Sequence, residues 1–307
     1  MAHDADTVHA AATVLDPGRA EAAAALADRS TATLATVLRH ASIRRYAAES
    51  LPDDVLDALR AALVRGPTSS ALHSYTHVLV RDPDLRTELA RLAGDQPWVA
   101  GAPLVIVGCA DLRRARLATH GQGYRYTAHD LRMLLSATSD LTVGIQNASL
   151  VAQSLGYGTV MLGGVMNGAR EIADLLGLPS RVFPLLGLAV GRPQGPWPDP
   201  RPRLPRQLLL HDERWSLDET TERALLEEHD AETRERGTYE GRRIPWSAMG
   251  RGGDDPVPPG AYGALEHMGR KQGRATWGPQ GRKLDADLAA LGVRAAATGE
   301  VDPATEP

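Results

Sequence analysis

An α+β or α/β sandwich, with long helices packed against one sheet, is the fold class that this sequence of 307 residues predicts. Three observations point to it. Apolar runs of strand length are few. Helical patterns separate them, and no hairpin signature joins any two. One helical pattern, from Leu131 to Leu155, is apolar on most sides, which marks a helix buried in a core or in a subunit interface.

Residues 1–29 are rich in Ala and low in complexity, and read as an N-terminal arm, mobile or briefly helical. LATVLRH (34–40) reads as the end of a helix. LPDDVLDALRAALVRG (51–66) is a stronger helix, with Pro52 and two Asp in its first turn and Gly66 after its end. PTSS (67–70) is a turn, and YTHVLVR (75–81) is a strand rich in β-branched residues. DPDLRTELARLAG (82–94) opens on Asp and Pro and closes on Gly, as a helix does. PLVIVGCAD (103–111) has the pattern of a strand buried on both faces.

GQGYRYTAHD (121–130) reads as a loop ahead of the long helix, which Gly156 ends. GTVMLGG (158–164) is a strand, NGAREIADLLG (167–177) a helix and VFPLLGLAVG (182–191) another strand. LDETTERALLEEHDAETRERG (217–237) is a charged amphipathic helix, and RGGDDPVPPGAYG (251–263) reads as a flexible linker. Two shorter helical patches and a disordered tail follow. The expected organisation is the arm, a domain over 30–250, and a C-terminal extension over 251–307.

Composition excludes several classes of function. The formal net charge of −4 leaves no nucleic-acid footprint. A single Phe, Phe183, makes base-stacking platforms scarce. One cysteine, Cys109, excludes an internal disulfide, and its place in an apolar strand reads as a buried, inert thiol. No apolar run reaches the roughly 18–20 residues of a membrane helix, and no basic start leads an apolar block, so the expected location is cytoplasmic. The ten histidines are scattered without ligand spacing, so no metal site is expected. There is no G-x-S-x-G elbow, no G-x-G-x-x-G after a first strand and no Walker lysine.

Four stretches carry candidate chemistry. LRHASIRRY (38–46) clusters His40, Ser42, Arg44 and Arg45 after a helix, as an anion site would; a helix end attracting cations reads equally well. TSSALHS (68–74) puts Ser69, Ser70 and His73 after a Gly-Pro turn, open to close backbone approach or serving turn chemistry alone. MLGGV (161–165) ends a strand on Gly163 and Gly164, where a planar ligand could lie on bare backbone, or a tight turn could form. PWPDPRPRLPRQL (196–208) sets Arg201 and Arg203 among prolines, on a stiff extended run whose alternate side chains point the same way. Such a pair suits phosphate or carboxylate, although the loop taken alone reads first as a solvated surface.

Taken in order, HASIRRY (40–46), the TSS…LHS turn, Gln96 in AGDQPWVA, IQNASLVAQSLGYGTVMLGG (145–164) and LPSRVFPLLGLAVGRPQG…PDPRPRLP (178–205) resemble the nitroreductase superfamily. The nearest branch is that of oxygen-insensitive NADPH nitroreductases and NADPH-dependent FMN reductases. The resemblance covers roughly residues 30 to 246. It implies a nitroreductase-like α+β sandwich, a central mostly antiparallel sheet flanked by long helices, in a homodimer with FMN at the subunit interface. Ala41 stands where the family often has Arg, and Met161 where it often has an aromatic.

By this resemblance Arg201 and Arg203 grip the FMN phosphate, and His40, Ser42 and Arg44 complete the phosphate and pyrimidine contacts. Ser69, Ser70, His73 and Gln96 face the flavin, with Gly163 and Gly164 near its N5 edge. Arg236, Arg242 and Arg243 in RGTYEGRRIPW would bind the NADPH 2′-phosphate, against the alternative of a solvated basic loop. The implied activity is FMN-dependent, ping-pong oxidation of NADPH by a small-molecule oxidant, a nitroaromatic or quinone, without a side-chain nucleophile. Two other readings stay open: a flavin reductase that releases reduced FMN to a monooxygenase, and a flavin-binding protein without turnover.

Overall fold

The computed structural model describes residues 31–198, 200, 203–274 and 276–293. The N-terminal arm and the C-terminal tail lie outside the described residues. These residues fall into two compact units, one holding 31–200 and 283–293 and the other 203–282.

The first unit opens with α1 (Ala32–Leu38), whose first turn is capped by Thr31. In α2 (Asp53–Val64), Pro52 stands at the N-cap position and Asp53 and Asp54 face the positive end of the helix dipole. Val55, Leu56, Leu59 and Leu63 form its buried stripe. Strand β1 (Tyr75–Val80) leads to α3 (Pro83–Leu92), where Asp82 Oδ1 accepts from the N–H groups of Asp84 and Leu85. A short α4 (Pro97–Gly101) precedes β2 (Leu104–Asp111), which is buried along its whole length, as its unbroken apolar run predicts.

Next comes α5 (Arg113–Gly121), a helix that the sequence reading leaves unassigned. It buries no residue and so carries no apolar stripe to read; Asp111 Oδ1 caps it by accepting from Arg113 and Arg114. The long helix is α6 (Asp130–Ser154), close to its expected bounds. Strand β3 (Gly158–Leu162) stops before the glycine pair, which instead opens a 3-10 turn over Gly163–Gly168 into α7 (Ala169–Leu175). The fourth strand is β4 (Val182–Gly191).

The sheet runs β1-β2-β4-β3, antiparallel at each pairing. This is the expected α+β sandwich. Alternation along β2 sends Leu104, Ile106 and Ala110 into one core with α2 and α6, and Val105, Val107 and Cys109 into the other with α3 and α7. Leu288, Leu291 and Val293 close the first core from the end of α10 (Trp277–Ala290) and the residues after it. Arg181 holds that end, donating to the Gly292 carbonyl while pairing with Asp130.

The second unit is built on α8 (Glu219–Glu235) and α9 (Ala264–Gln272). Its centre is polar. Arg270, 2% exposed, pairs with Asp255 and Glu266, donates to the Ile244 carbonyl and lies over the rings of Trp246 and Tyr262. Stretch 251–263, read from sequence as a flexible linker, is bound down here. Asp255 is tied to Arg270, the Val257 and Pro258 carbonyls accept from Arg243, and Tyr262 is fully buried.

Candidate functional site

Three groups of side chains emerge from the first unit. The first lies on HASIRRY, which runs beside the sheet edge: Ser42 bridges to Thr159, and the Ile43 N–H donates to the Thr159 carbonyl at 2.9 Å. Ile43 is buried against β3, so closely that a β-carbon at Gly158 would meet it at 2.6 Å. His40 Nδ1 lies 3.0 Å from Gln153 Oε1 on α6, and Arg39 donates to the Gln153 carbonyl. Trp197 donates to the Arg39 carbonyl at 3.0 Å while its ring underlies the Arg39 guanidinium. The segment is thus fixed on both sides, with cations displayed along it.

Arg44 belongs equally to the second group. Its guanidinium lies 5.5 Å from the ring centre of Trp98, two residues after Gln96. Gln96 donates to the Ala93 carbonyl at 2.6 Å, and Gly164 packs against that same carbonyl and the Gln96 amide. Gly163 has open space where a β-carbon would sit. The structure therefore brings Arg44, Gln96, Gly163 and Gly164 to one neighbourhood and divides the glycines by task. Gly164 permits the packing, and Gly163 presents bare backbone.

The third group is the turn at 68–74. Ser69 donates twice to Asp140 Oδ1, from its N–H and its hydroxyl, both at 2.9 Å. Ser70, Ala71 and His73 all adopt positive φ, at 51°, 54° and 49°, a costly conformation for residues with a β-carbon. The Asp140 clamp fixes the start of this turn, and Arg114 donates to the His73 carbonyl at its end. Asp140 is 4% exposed, and its Oδ2 has no partner among the described residues. Beyond the turn, a cleft of about 380 Å³ runs along β1. Its arginines are paired, Arg60 with Asp57 and Arg114 with Asp111, so it holds no surplus of charge.

The first and third groups do not meet within one chain. Their anchors, Gln153 and Asp140, are 13 positions apart on α6, which at 1.5 Å per residue is about 20 Å along the axis.

Of the remaining candidates, Arg201 lies outside the described residues, and Arg203 is exposed in the second unit. The three arginines of RGTYEGRR differ. Arg236 pairs with Glu232 at 2.8 Å, Arg243 braces the 255–262 loop, and Arg242 is exposed. Cys109 is fully buried, and that burial pushes its thiol up to about 12. The buried position is the one its apolar strand pattern predicts. Sequence reasoning missed Asp140, Gln153, Ser149 and Trp98. The first three had a signal: each is a polar residue on the inward stripe of an otherwise apolar helix, where an unsatisfied group would be costly.

This geometry can take a flat ring on the Gly163 backbone beside Gln96, and an anion near Arg39 and Arg44. The model of the Nitroreductase family matches residues 37–192. The FMN reductase (NADPH) of Bacillus subtilis is 32% identical over 200 residues, 64% of this chain and 80% of that protein. The NADPH-flavin oxidoreductase of Vibrio harveyi is 32% identical over 183 residues, 60% of this chain and 74% of that protein. The structure titled as the hypothetical oxidoreductase YcnD from Bacillus subtilis superposes with a TM-score of 0.74 at 26% identity, covering 86% of this chain and 99% of that one. The chain belongs to the nitroreductase family.

Proposed function

We propose that this chain is an FMN-dependent oxidoreductase that takes electrons from NADPH and delivers them to nitroaromatics or quinones. The observation that carries the reading is the open backbone at Gly163, set beside Gln96 and the Arg44–Trp98 stack within a nitroreductase fold. The residues fit FMN: bare backbone for the ring, and cations for its phosphate and its electron-rich edge. When bound, FMN supplies the two-electron chemistry between NADPH and the oxidant. Gly163 lets a ring approach the chain. Arg44 sets a fixed positive charge beside it, Ser42 and Arg39 present donors to its phosphate, and His40 offers an acceptor to its ribityl hydroxyls. Arg201 and Arg203 keep the phosphate role that the resemblance implies. Arg242 keeps the NADPH 2′-phosphate role that the resemblance implies, while Arg243 is engaged with the Val257 and Pro258 carbonyls.

The separation of the Ser69 turn from the His40 segment favours a homodimer. Both sets reach one flavin if the turn of one copy faces the His40 segment of another. Leu131 and Leu135, 39% and 62% exposed on α6, offer apolar surface for that second copy.

A second reading, release of reduced FMN to a monooxygenase, draws on the names of the relatives, which are flavin reductases. The deciding experiment is the absorbance spectrum of the purified protein, followed by anaerobic NADPH and then turnover with menadione, a nitroarene and free FMN. Bleaching with turnover of menadione or the nitroarene supports the first reading, and turnover of free FMN alone supports the second. A protein that FMN cannot reconstitute sinks both. Bound flavin that NADPH leaves oxidised points to binding without turnover.

A further inference from the structure

Gln153 is fully buried near the end of α6, and each polar atom of its side chain is engaged. Its Nε2 lies 3.1 Å from the Ser149 carbonyl and 2.9 Å from the Ser149 hydroxyl. A carbonyl only accepts, so the amide atom facing it is the nitrogen. Turning the amide over would set two carbonyl oxygens against each other. The Ser149 hydroxyl accepts from Gln153 and lies 2.9 Å from the Thr159 hydroxyl on β3, the strand residue to which Ser42 bridges. The orientation of Gln153 is therefore set by its surroundings, independently of His40.

Gln153 Oε1 then faces His40 Nδ1 at 3.0 Å. An amide oxygen is an acceptor only, so Nδ1 must carry the hydrogen. We infer that Gln153 is a positioning residue: it holds His40 in the Nδ1–H form and leaves Nε2 unprotonated, an acceptor for a hydroxyl or N–H of the ligand. The same contact fixes the plane of the imidazole. Without it the ring can rotate and either nitrogen can carry the hydrogen, so binding has to select one arrangement from several. The inference rests on the flavin reading only for the identity of the ligand; the state of the ring is a property of the protein alone.

The test has two readouts. The first is the histidine tautomer in the ligand-free protein, from nitrogen-15 chemical shifts at a pH where the ring is neutral, with His40→Gln to assign the signal. The second is the FMN dissociation constant by fluorescence quenching. Wild type shows His40 as Nδ1–H. Gln153→Leu removes the acceptor at similar volume; it gives a mixed or Nε2–H ring and weakens FMN binding about tenfold. Circular dichroism checks that each variant folds; the wild-type spectrum alone decides if Gln153→Leu does not. An Nε2–H ring in wild type, or a tautomer and an FMN affinity both unchanged in folded Gln153→Leu, overturns the inference. If wild type binds no FMN but His40 is Nδ1–H and responds to Gln153→Leu, the flavin reading fails while the positioning role stands.

Discussion

Gly164 lies so close to Gln96 that a β-carbon on the glycine would overlap the Gln96 amide nitrogen and the Ala93 carbonyl oxygen behind it. Its neighbour Gly163 has nothing within 4 Å of the same position. The backbone at Ala93 cannot yield as a flexible side-chain tip would, so Gly164→Ala forces the 3-10 turn off the α3–α4 connection. We expect a loss of about 1–3 kcal/mol in urea unfolding. Gly163→Ala should be near neutral in stability and lower FMN affinity instead. Equal stability losses in the two variants would contradict this division.

Arg242 and Arg243 are adjacent and do different work. Arg242→Ala should raise KM for NADPH roughly tenfold with little change for NADH, matching about 1.5 kcal/mol for one charge-assisted contact. Arg243→Ala strips two carbonyls of their donor and a cation from the face of Tyr262. It should lower the thermal midpoint more than it changes KM. The pair of measurements on both variants checks the assignment, and the reverse pattern would exchange the two roles.

Asp140 holds a turn with three residues in left-handed geometry. Asp140→Ala leaves both Ser69 donors without their acceptor and should cost about 1–3 kcal/mol. Asp140→Asn keeps one acceptor and should cost less. Protease cleavage within 68–74 reports whether the turn opens; an intact turn in Asp140→Ala would show that the clamp is dispensable.

His77 faces α6 from β1, near Gly144, and neither ring nitrogen makes a hydrogen bond of good geometry. Burial lowers it from its ordinary value of 6.5 to about 4, with the nearby Leu63 carbonyl offsetting part of that effect. Above pH 6.5 the ring is neutral in the folded and the unfolded chain, and its full contribution is present. As pH falls from 6.5 towards 4, only the unfolded chain takes up the proton, so stability drops by about 2–3 kcal/mol across that window. His77→Leu should flatten this part of the curve. Parallel stability–pH profiles for the two proteins would remove His77 as the cause.

Arg201 and Arg203 carry the phosphate role by resemblance. Replacing both with Ala should give a folded protein, by circular dichroism, whose FMN affinity falls roughly a hundredfold, two charge-assisted contacts being lost. Full flavin occupancy in the double variant would return the loop to the status of solvated surface.

The order of elements was legible because its signals are local. Strand β2 is an unbroken apolar run, and α2 and α3 announce themselves through Pro and Asp at their starts. The candidate residues on HASIRRY, the TSS turn and the glycine pair stood out for a similar reason: hydroxyls, cations and glycines cluster within a few positions. Helix α5 stayed hidden because it buries nothing and so shows no period.

By itself, then, the sequence determined the alternation of helices and strands, the buried thiol, and which short stretches could face a ligand. The tertiary structure alone decided how those stretches are held. It set Asp140 under Ser69, Gln153 beside His40 and Arg270 across the 251–263 stretch. It also separated the packing glycine from the open one. The reason is physical: a buried polar group or a cation takes its meaning from its partner, and these partners lie 71 positions away for Asp140 and Ser69, 113 for Gln153 and His40. Local periodicity has no reach over such separations; only the folded chain closes them.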